Sequence, residues 1–395
     1  MSAKSNSSFF IFVFLGMLTA FGPFVTDMYL PSLPAMTVFF DTSVSMVQMG
    51  LTFSMLGLAL GQLFFGPLSD KFGRRKPLMI SLFLFLLSTL ACIFAPTIEI
   101  FVFLRFIQGI AASGGIVIAR SIAADKFKGL NLTKALAIVG AINGIAPIAA
   151  PVIGGMMLKI IGWQGIFVSL LIIGLALLLL GLNFNESLST ARRSKEKISR
   201  SLVLFKTVLQ NKKYLFYTLQ LSFSLAILFA YIASSPFIIQ NYYGFSPFAF
   251  SLFFAANAIA IGVGAAFAVK FKSQQTSLFV SVCGICFCCI ALFLAMQSNA
   301  SIVVFEGLMF TLCFALGMTF TVATSIAMDA ARANAGTASA ILGAGGFLFG
   351  SIVSPLVGLG NIMFSTGLVL IICAAAAAVF ALLGHKESTG YNFNK

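Results

Sequence analysis

Apolar residues in this chain come in long unbroken runs, and polar residues gather in the short stretches between them. Twelve runs reach the roughly 20 residues that a helix needs to cross a bilayer. They are 9–31, 44–66, 77–95, 99–120, 133–157, 163–183, 213–235, 247–269, 276–296, 300–325, 334–356 and 361–383. The pattern predicts an all-α membrane protein with twelve transmembrane helices. The first run is preceded by a single charge, Lys4, and is not followed by a small-residue cleavage site, so it reads as a span and not a removed signal peptide. The longest polar stretch, 184–212, is rich in Ser, Lys and Arg. It divides the chain into an N-terminal six-helix half (1–183), a basic linker (184–212) and a C-terminal six-helix half (213–395).

Composition excludes an ordinary soluble enzyme. Of 395 residues, 60% are hydrophobic and 9% charged, against about a quarter charged in a soluble domain. A soluble chain of this length could not hide so much apolar surface. The net charge of +14 is not spread evenly. Lys71, Arg74, Arg75, Lys76, Lys126, Lys128 and the 192–213 cluster fall in alternate loops, with Lys159 alone on the opposite side. The positive-inside rule then puts both termini in the cytoplasm, and nucleic acid is not an expected partner. The only histidine, His385, falls in what reads as a polar C-terminal tail. Histidine-based catalysis and histidine-ligated metal sites are thereby excluded from the apolar body. The seven cysteines lie in apolar runs, and the Cys283–Cys289 cluster reads as helix packing, so no metal and no cofactor are expected. No P-loop is present, so ATP is not the direct energy source. No nucleophile–base set points to an enzyme, no filter-like loop points to a channel, and no loop is long enough for the ligand domain of a sensor.

The halves carry a faint repeat. Asp41-Thr42-Ser43 precedes the second span as Gly244-Phe245-Ser246 precedes the eighth, and the same 203-residue offset relates Gly61 to Gly264. Repeated halves around a midplane site are a common transporter plan.

Ionisable residues inside a membrane are costly and therefore functional candidates. Asp27 in the outer half of the first span comes first. Low dielectric disfavours the charged carboxylate, which lets such a group hold and release a proton; the alternative is a cap on a helix break before Pro31 and Pro34. Arg105, inside the fourth span, stays charged and must be paired or hydrated. Its charge can tune Asp27, or it is bonded structurally to carbonyl groups. Glu306, near the outer end of the tenth span, reads as reaching toward headgroups. Tyr29, Met55, Asn143, Tyr231 and Asn257 are candidate substrate contacts. The loop from Gly66 through Asp70, Lys71, Gly73, Arg74 and Arg75 combines two glycines for a reversal with an acid and a basic run, and Asp125 is a candidate partner for that run. In the fifth span, Pro147, Pro151, Gly154 and Gly155 predict a kink and close helix approach.

These residues resemble a known family. Gly66, Asp70, Lys71, Gly73, Arg74 and Arg75 match the GxxxD[RK]xG[RK][RK] loop of the major facilitator superfamily, and Leu104-Arg105-Phe106-Ile107-Gln108-Gly109 is similar to its span-four motif. The fifth span resembles the motif of drug/proton antiporters, with Ala150-Pro151 where that motif has Gly-Pro. Thr26 to Pro34, Tyr231 to Gln240 and Ala335 to Ala340 are similar to the bicyclomycin/chloramphenicol resistance (Bcr/CflA) branch. The resemblance implies a proton-coupled multidrug efflux transporter of a bacterial inner membrane, with Asp27 and Arg105 in proton coupling and in the drug site. Lipophilic small molecules, protons and lipids are its expected partners, and a monomer its expected state. Some relatives carry a second acid two turns before this Asp, where this chain has Thr19. A specific metabolite carrier is the alternative within transport, and a non-transporting membrane sensor the alternative outside it.

Overall fold

The structure, a computed structural model, describes residues 7–127, 129–193, 205–332 and 335–389. Among these it is helical, with no strand. The helices are α1 (Ser8–Asp27), α2 (Leu33–Phe39), α3 (Val44–Phe72), α4 (Arg75–Ile93), α5 (Ile98–Lys126) and α6 (Gly129–Leu182). They continue with α7 (Lys212–Phe237), α8 (Pro247–Ala268), α9 (Gln274–Gln297), α10 (Ile302–Ala330), α11 (Ala335–Leu356) and α12 (Ile362–Thr389). Starts are written locally: Ser7, Thr97, Asn211, Ser246 and Ser273 each accept a backbone N–H from the first turn of the helix that follows.

Eleven helices among the described residues are long and apolar enough to span a bilayer. One of them, α6, is two arms joined at Gly162, whose φ of 69° leaves the helical region. Gly162 falls in the gap expected between the fifth and sixth spans, so the twelve-span plan holds. The prolines of the fifth span, Pro147 and Pro151, lie within helical backbone, and the non-helical dihedrals of α6 are at Gly162. A membrane helix tolerates proline where its neighbours re-satisfy the freed backbone groups. His385 is also not in a tail. The last helix runs on to Thr389, and His385 Nδ1 lies 3.3 Å from Gln275 Oε1.

Two compact units account for the chain: 1–42 with 53–198, and 43–52 with 199–395. Residues 194–204, part of the expected linker, lie outside the described residues. In the first unit α1 packs on α5 and α6, and α4 on α5 and α6. In the second, α7 packs on α10, α11 and α12, while α9 packs on α10 and α12 and α8 on α10. Large apolar side chains such as Ile80, Phe83, Phe279 and Phe287 are exposed on these helices, as a lipid-facing surface requires.

The repeat is real at the level of backbone. Asp41 and Gly244 both take positive φ, 46° and 74°, and both precede a serine that accepts a first-turn N–H, Ser43 from Met46 and Ser246 from Ala249. Gly61 and Gly264 do the same job in their units. A Cβ built on Gly61 would lie 2.7 Å from Ile110 O on α5, and one on Gly264 would overlap Phe314 O on α10. Side-chain-free contact lets these helix pairs cross at backbone distance. Gly264→Ala is therefore expected to lower the stability of the purified protein by about 1–3 kcal/mol through overpacking. Gly262→Ala, whose Cβ would meet nothing within 4 Å, is the control expected to leave thermal unfolding unchanged.

Candidate functional site

The run Thr26 to Pro34 ends one helix and starts another. α1 stops at Asp27, a 3-10 turn covers Leu30–Ser32, and α2 follows from Leu33. Pro31 and Pro34 fall at the first positions of these elements, where a missing N–H costs nothing. Asp27 is thus the last residue of a broken helix, and it is 6% exposed. No lysine or arginine among the described residues comes within ion-pair distance of it.

Arg105 brackets that break. It is fully buried on α5; its Nη2 donates to Val25 O at 3.0 Å, two residues before Asp27. Its Cζ sits 4.3 Å from the ring centre of Tyr29, two residues after Asp27, and 5.6 Å from that of Phe167. Nη1 donates to Gln108 Oε1, and Gln108 Nε2 donates to Thr89 Oγ1 at 2.7 Å. Of the two readings of this arginine, the carbonyl-bonded one describes the contacts: it bonds a backbone carbonyl before the acid, lies over the Tyr29 ring after it, and makes no ion pair with it. Gln108 is a member of the site that the sequence reading passed over, although a polar residue three positions after a buried Arg shares its helix face. Phe167 is held edge-on by Phe101 and Trp163, with ring centres 5.5 and 5.9 Å away. Gly154 completes the arrangement. A Cβ there would overlap Met28 O, so the α6 backbone presses directly on the residue after Asp27. Met55 is fully buried on α3. The side chain of Asn143 lies outside the described residues.

The loop motif forms a second group. The reversal uses one glycine and not two: Gly73 has φ 92°, whereas Gly66 lies inside α3 with helical dihedrals and faces Val117 at 3.6 Å. Arg74 pairs with Asp70 and donates from Nε to Asp125 Oδ2 at 2.9 Å and from Nη1 to Ser69 Oγ at 2.8 Å. Burial works against the Arg74 charge, but the hydrogen bonds to Asp125 and Asp70 outweigh it and hold its pKa above the usual arginine value. Glu186, also passed over in the sequence, takes the backbone N–H of Arg74 at 2.8 Å and of Arg75 at 3.2 Å, placing an anion at the start of α4. Its signal was there: it is one of ten acids in the chain and it stands inside the basic stretch. Arg74→Ala leaves Asp125 buried without its close partner and is expected to cost about 3 kcal/mol of stability in thermal unfolding. Asp70→Asn, at a half-exposed position, is expected to cost under about 1 kcal/mol.

The second unit holds its own polar group. Asn257 Nδ2 on α8 donates to Tyr231 Oη on α7 at 2.8 Å and to Glu306 Oε2 on α10 at 2.9 Å. Glu306 is therefore not reaching for headgroups; an amide inside the unit holds one of its oxygens. No group of three or more His, Cys, Asp or Glu suited to a metal occurs among the described residues.

The model of the Major Facilitator Superfamily matches residues 9–355. An uncharacterized MFS-type transporter, YdgK of Bacillus subtilis, is 37% identical over 96% of both chains. The bicyclomycin resistance protein homolog of Haemophilus influenzae is 27% identical over 98% of both. Multidrug resistance protein D of Escherichia coli is 27% identical over 92% of this chain and 94% of its own. Among solved structures, the xylose transporter XylE of E. coli superposes with a TM-score of 0.74 at 15% identity, covering 96% of this chain and 97% of its own. A bacterial homolog to the human lysosomal transporter Spinster gives 0.76 at 15%, covering 99% and 100%. The helices, the loop motif and these matches agree: this multi-pass membrane chain is a transporter and not an enzyme, and it belongs to the major facilitator superfamily.

Proposed function

We propose that the chain is a proton-coupled multidrug efflux antiporter working by alternating access as a monomer in a bacterial inner membrane. The observation that carries this reading is Asp27. It is a buried carboxyl group at a helix break, with no cation in ion-pair range among the described residues and an arginine bonded to the Val25 carbonyl before it and lying over the Tyr29 ring after it. A carboxyl group that no cation neutralises changes charge by exchanging a proton. Competition between that proton and a drug for one state of the carrier couples the two fluxes, because coupling free energy is reciprocal. The names of the relatives that bicyclomycin and multidrug resistance describe support the substrate class. The basic loops support an orientation with both termini in the cytoplasm.

The test is transport of chloramphenicol and of a lipophilic cation in proteoliposomes, with and without a proton gradient. The parent protein is expected to move both faster under a gradient. Asp27→Asn is expected to abolish the gradient dependence while thermal unfolding stays within a few degrees. Indifference of the parent to pH difference and voltage refutes the reading. The alternative, a carrier for one metabolite, is favoured by the buried Tyr231–Asn257–Glu306 group, because several buried polar partners reject a compound that leaves them unpaired. A narrow profile across a panel of unrelated lipophilic compounds selects it.

A further inference from the structure

Two acceptors of the Tyr231–Asn257–Glu306 group are left over. Asn257 spends Nδ2 on Tyr231 and Glu306, and its Oδ1 is buried with no hydrogen-bond partner. Glu306 spends Oε2 on Asn257, and its Oε1 is likewise buried and unpartnered. Asn257 is 1% exposed and Tyr231 2%, and although Glu306 as a residue is partly exposed its Oε1 is buried, so water does not offset these omissions freely. The amide orientation is chemically determined: with Nδ2 turned to the carboxylate, an N–H meets an acceptor, whereas the flipped amide would set Oδ1 against it. With Glu306 ionised, the group is two oxygens short of donors and one positive charge short of neutrality. The titratable side chains coupled electrostatically to Glu306 are Tyr231 on α7, Tyr243 beyond it and Cys313 on α10, and none is a cation. No Lys or Arg among the described residues lies within ion-pair distance of Glu306.

We infer that Glu306 and Asn257 are a recognition site for the protonated primary amine of a transported compound. An alkylammonium brings the missing charge and three N–H donors, enough for Glu306 Oε1 and Asn257 Oδ1 together. A quaternary ammonium brings the charge without the donors, and a neutral alcohol brings neither the charge nor enough of them. The ring of Tyr231, stacked on Phe254 with centres 5.8 Å apart, supplies an aromatic wall for the cation and its apolar body. The inference rests on the reading that the chain carries lipophilic small molecules, but it does not depend on proton coupling.

The probes are 2-(1-naphthyl)ethylammonium, its N,N,N-trimethyl counterpart and 2-(1-naphthyl)ethanol, titrated by fluorescence into the purified full-length protein in detergent at one pH and with no gradient. The parent is expected to bind the primary ammonium at least about tenfold more tightly than the other two, the scale of a charged hydrogen bond. Glu306→Gln is expected to erase that preference, weakening the ammonium about tenfold or more while its affinity for the alcohol changes less than about twofold. Asn257→Asp sets a second carboxyl group beside Glu306, and with one proton shared between the two the single negative charge remains, so it is expected to retain the preference. Absence of a preference in the parent overturns the inference. So does an unchanged ammonium affinity in Glu306→Gln, or an equal loss for all three probes, which marks a merely structural residue. Because no gradient enters the measurement, failure of the antiport reading leaves this result readable.

Discussion

Gly154→Val is expected to abolish transport by a protein that still inserts. The reason is local and has no easy relief. Helix α6 meets the end of α1 at backbone distance, and a Cβ on residue 154 would occupy the space of Met28 O. A flexible side chain can swing away from such a contact, but a carbonyl at a helix end moves only with its peptide. Met28 follows Asp27 directly, so the displacement carries the acid with it. Overpacking of this kind costs about 1–3 kcal/mol, which a large bundle survives. The geometry of the break does not survive it, because a packed interior transmits the shift instead of absorbing it. Even Gly154→Ala is expected to be impaired, since the first added atom is the one that collides. Initial rates in proteoliposomes, normalised to reconstituted protein, are the measurement. Full transport by the valine variant would show that the α1–α6 approach has no part in function.

Arg105→Lys is expected to fail nearly as completely as Arg105→Ala, although it keeps the charge. The guanidinium does three things at once: it donates to Val25 O, it donates to Gln108 Oε1, and its carbon sits over the rings of Tyr29 and Phe167. A lysine ammonium is a point donor on a flexible stem and cannot reproduce a planar fork that holds two acceptors while covering two rings. Either variant leaves buried acceptors unmatched, at about 1–3 kcal/mol each. A fall in transport of at least about a hundredfold is expected for both, with unfolding shifted further for Ala. Wild-type rates for the lysine variant would reduce the role of Arg105 to its charge.

Much of this was legible in the sequence because a membrane imposes simple rules. Run length gave the twelve spans, and the 203-residue offset of Gly61 and Gly264 marked two helix crossings built alike. Asp27 and Arg105 stood out as charges where charges are costly. What the sequence could not give were contacts between distant segments. Nothing local joins Glu186 to the N–H groups of Arg74 and Arg75, or Glu306 to Asn257. The same limit hid the break at Gly162. Pro147 and Pro151 drew attention to the fifth span, whereas the break between the two arms of α6 is made by Gly162, one of many glycines in the chain. Gly66 misled for a related reason, since a glycine before a loop looks like a turn and here serves the face of α3 toward α5.

The central claim is that Asp27 carries the proton exchanged for substrate, and counting protons tests it most directly. Chloramphenicol is added to concentrated, weakly buffered, purified protein and the pH is followed with a dye. Release of about one proton per molecule bound is expected from the parent, because substrate and proton compete for one state. Asp27→Asn is expected to bind without release. Undiminished proton release from Asp27→Asn, with binding intact, would place the exchanged proton elsewhere and contradict the account.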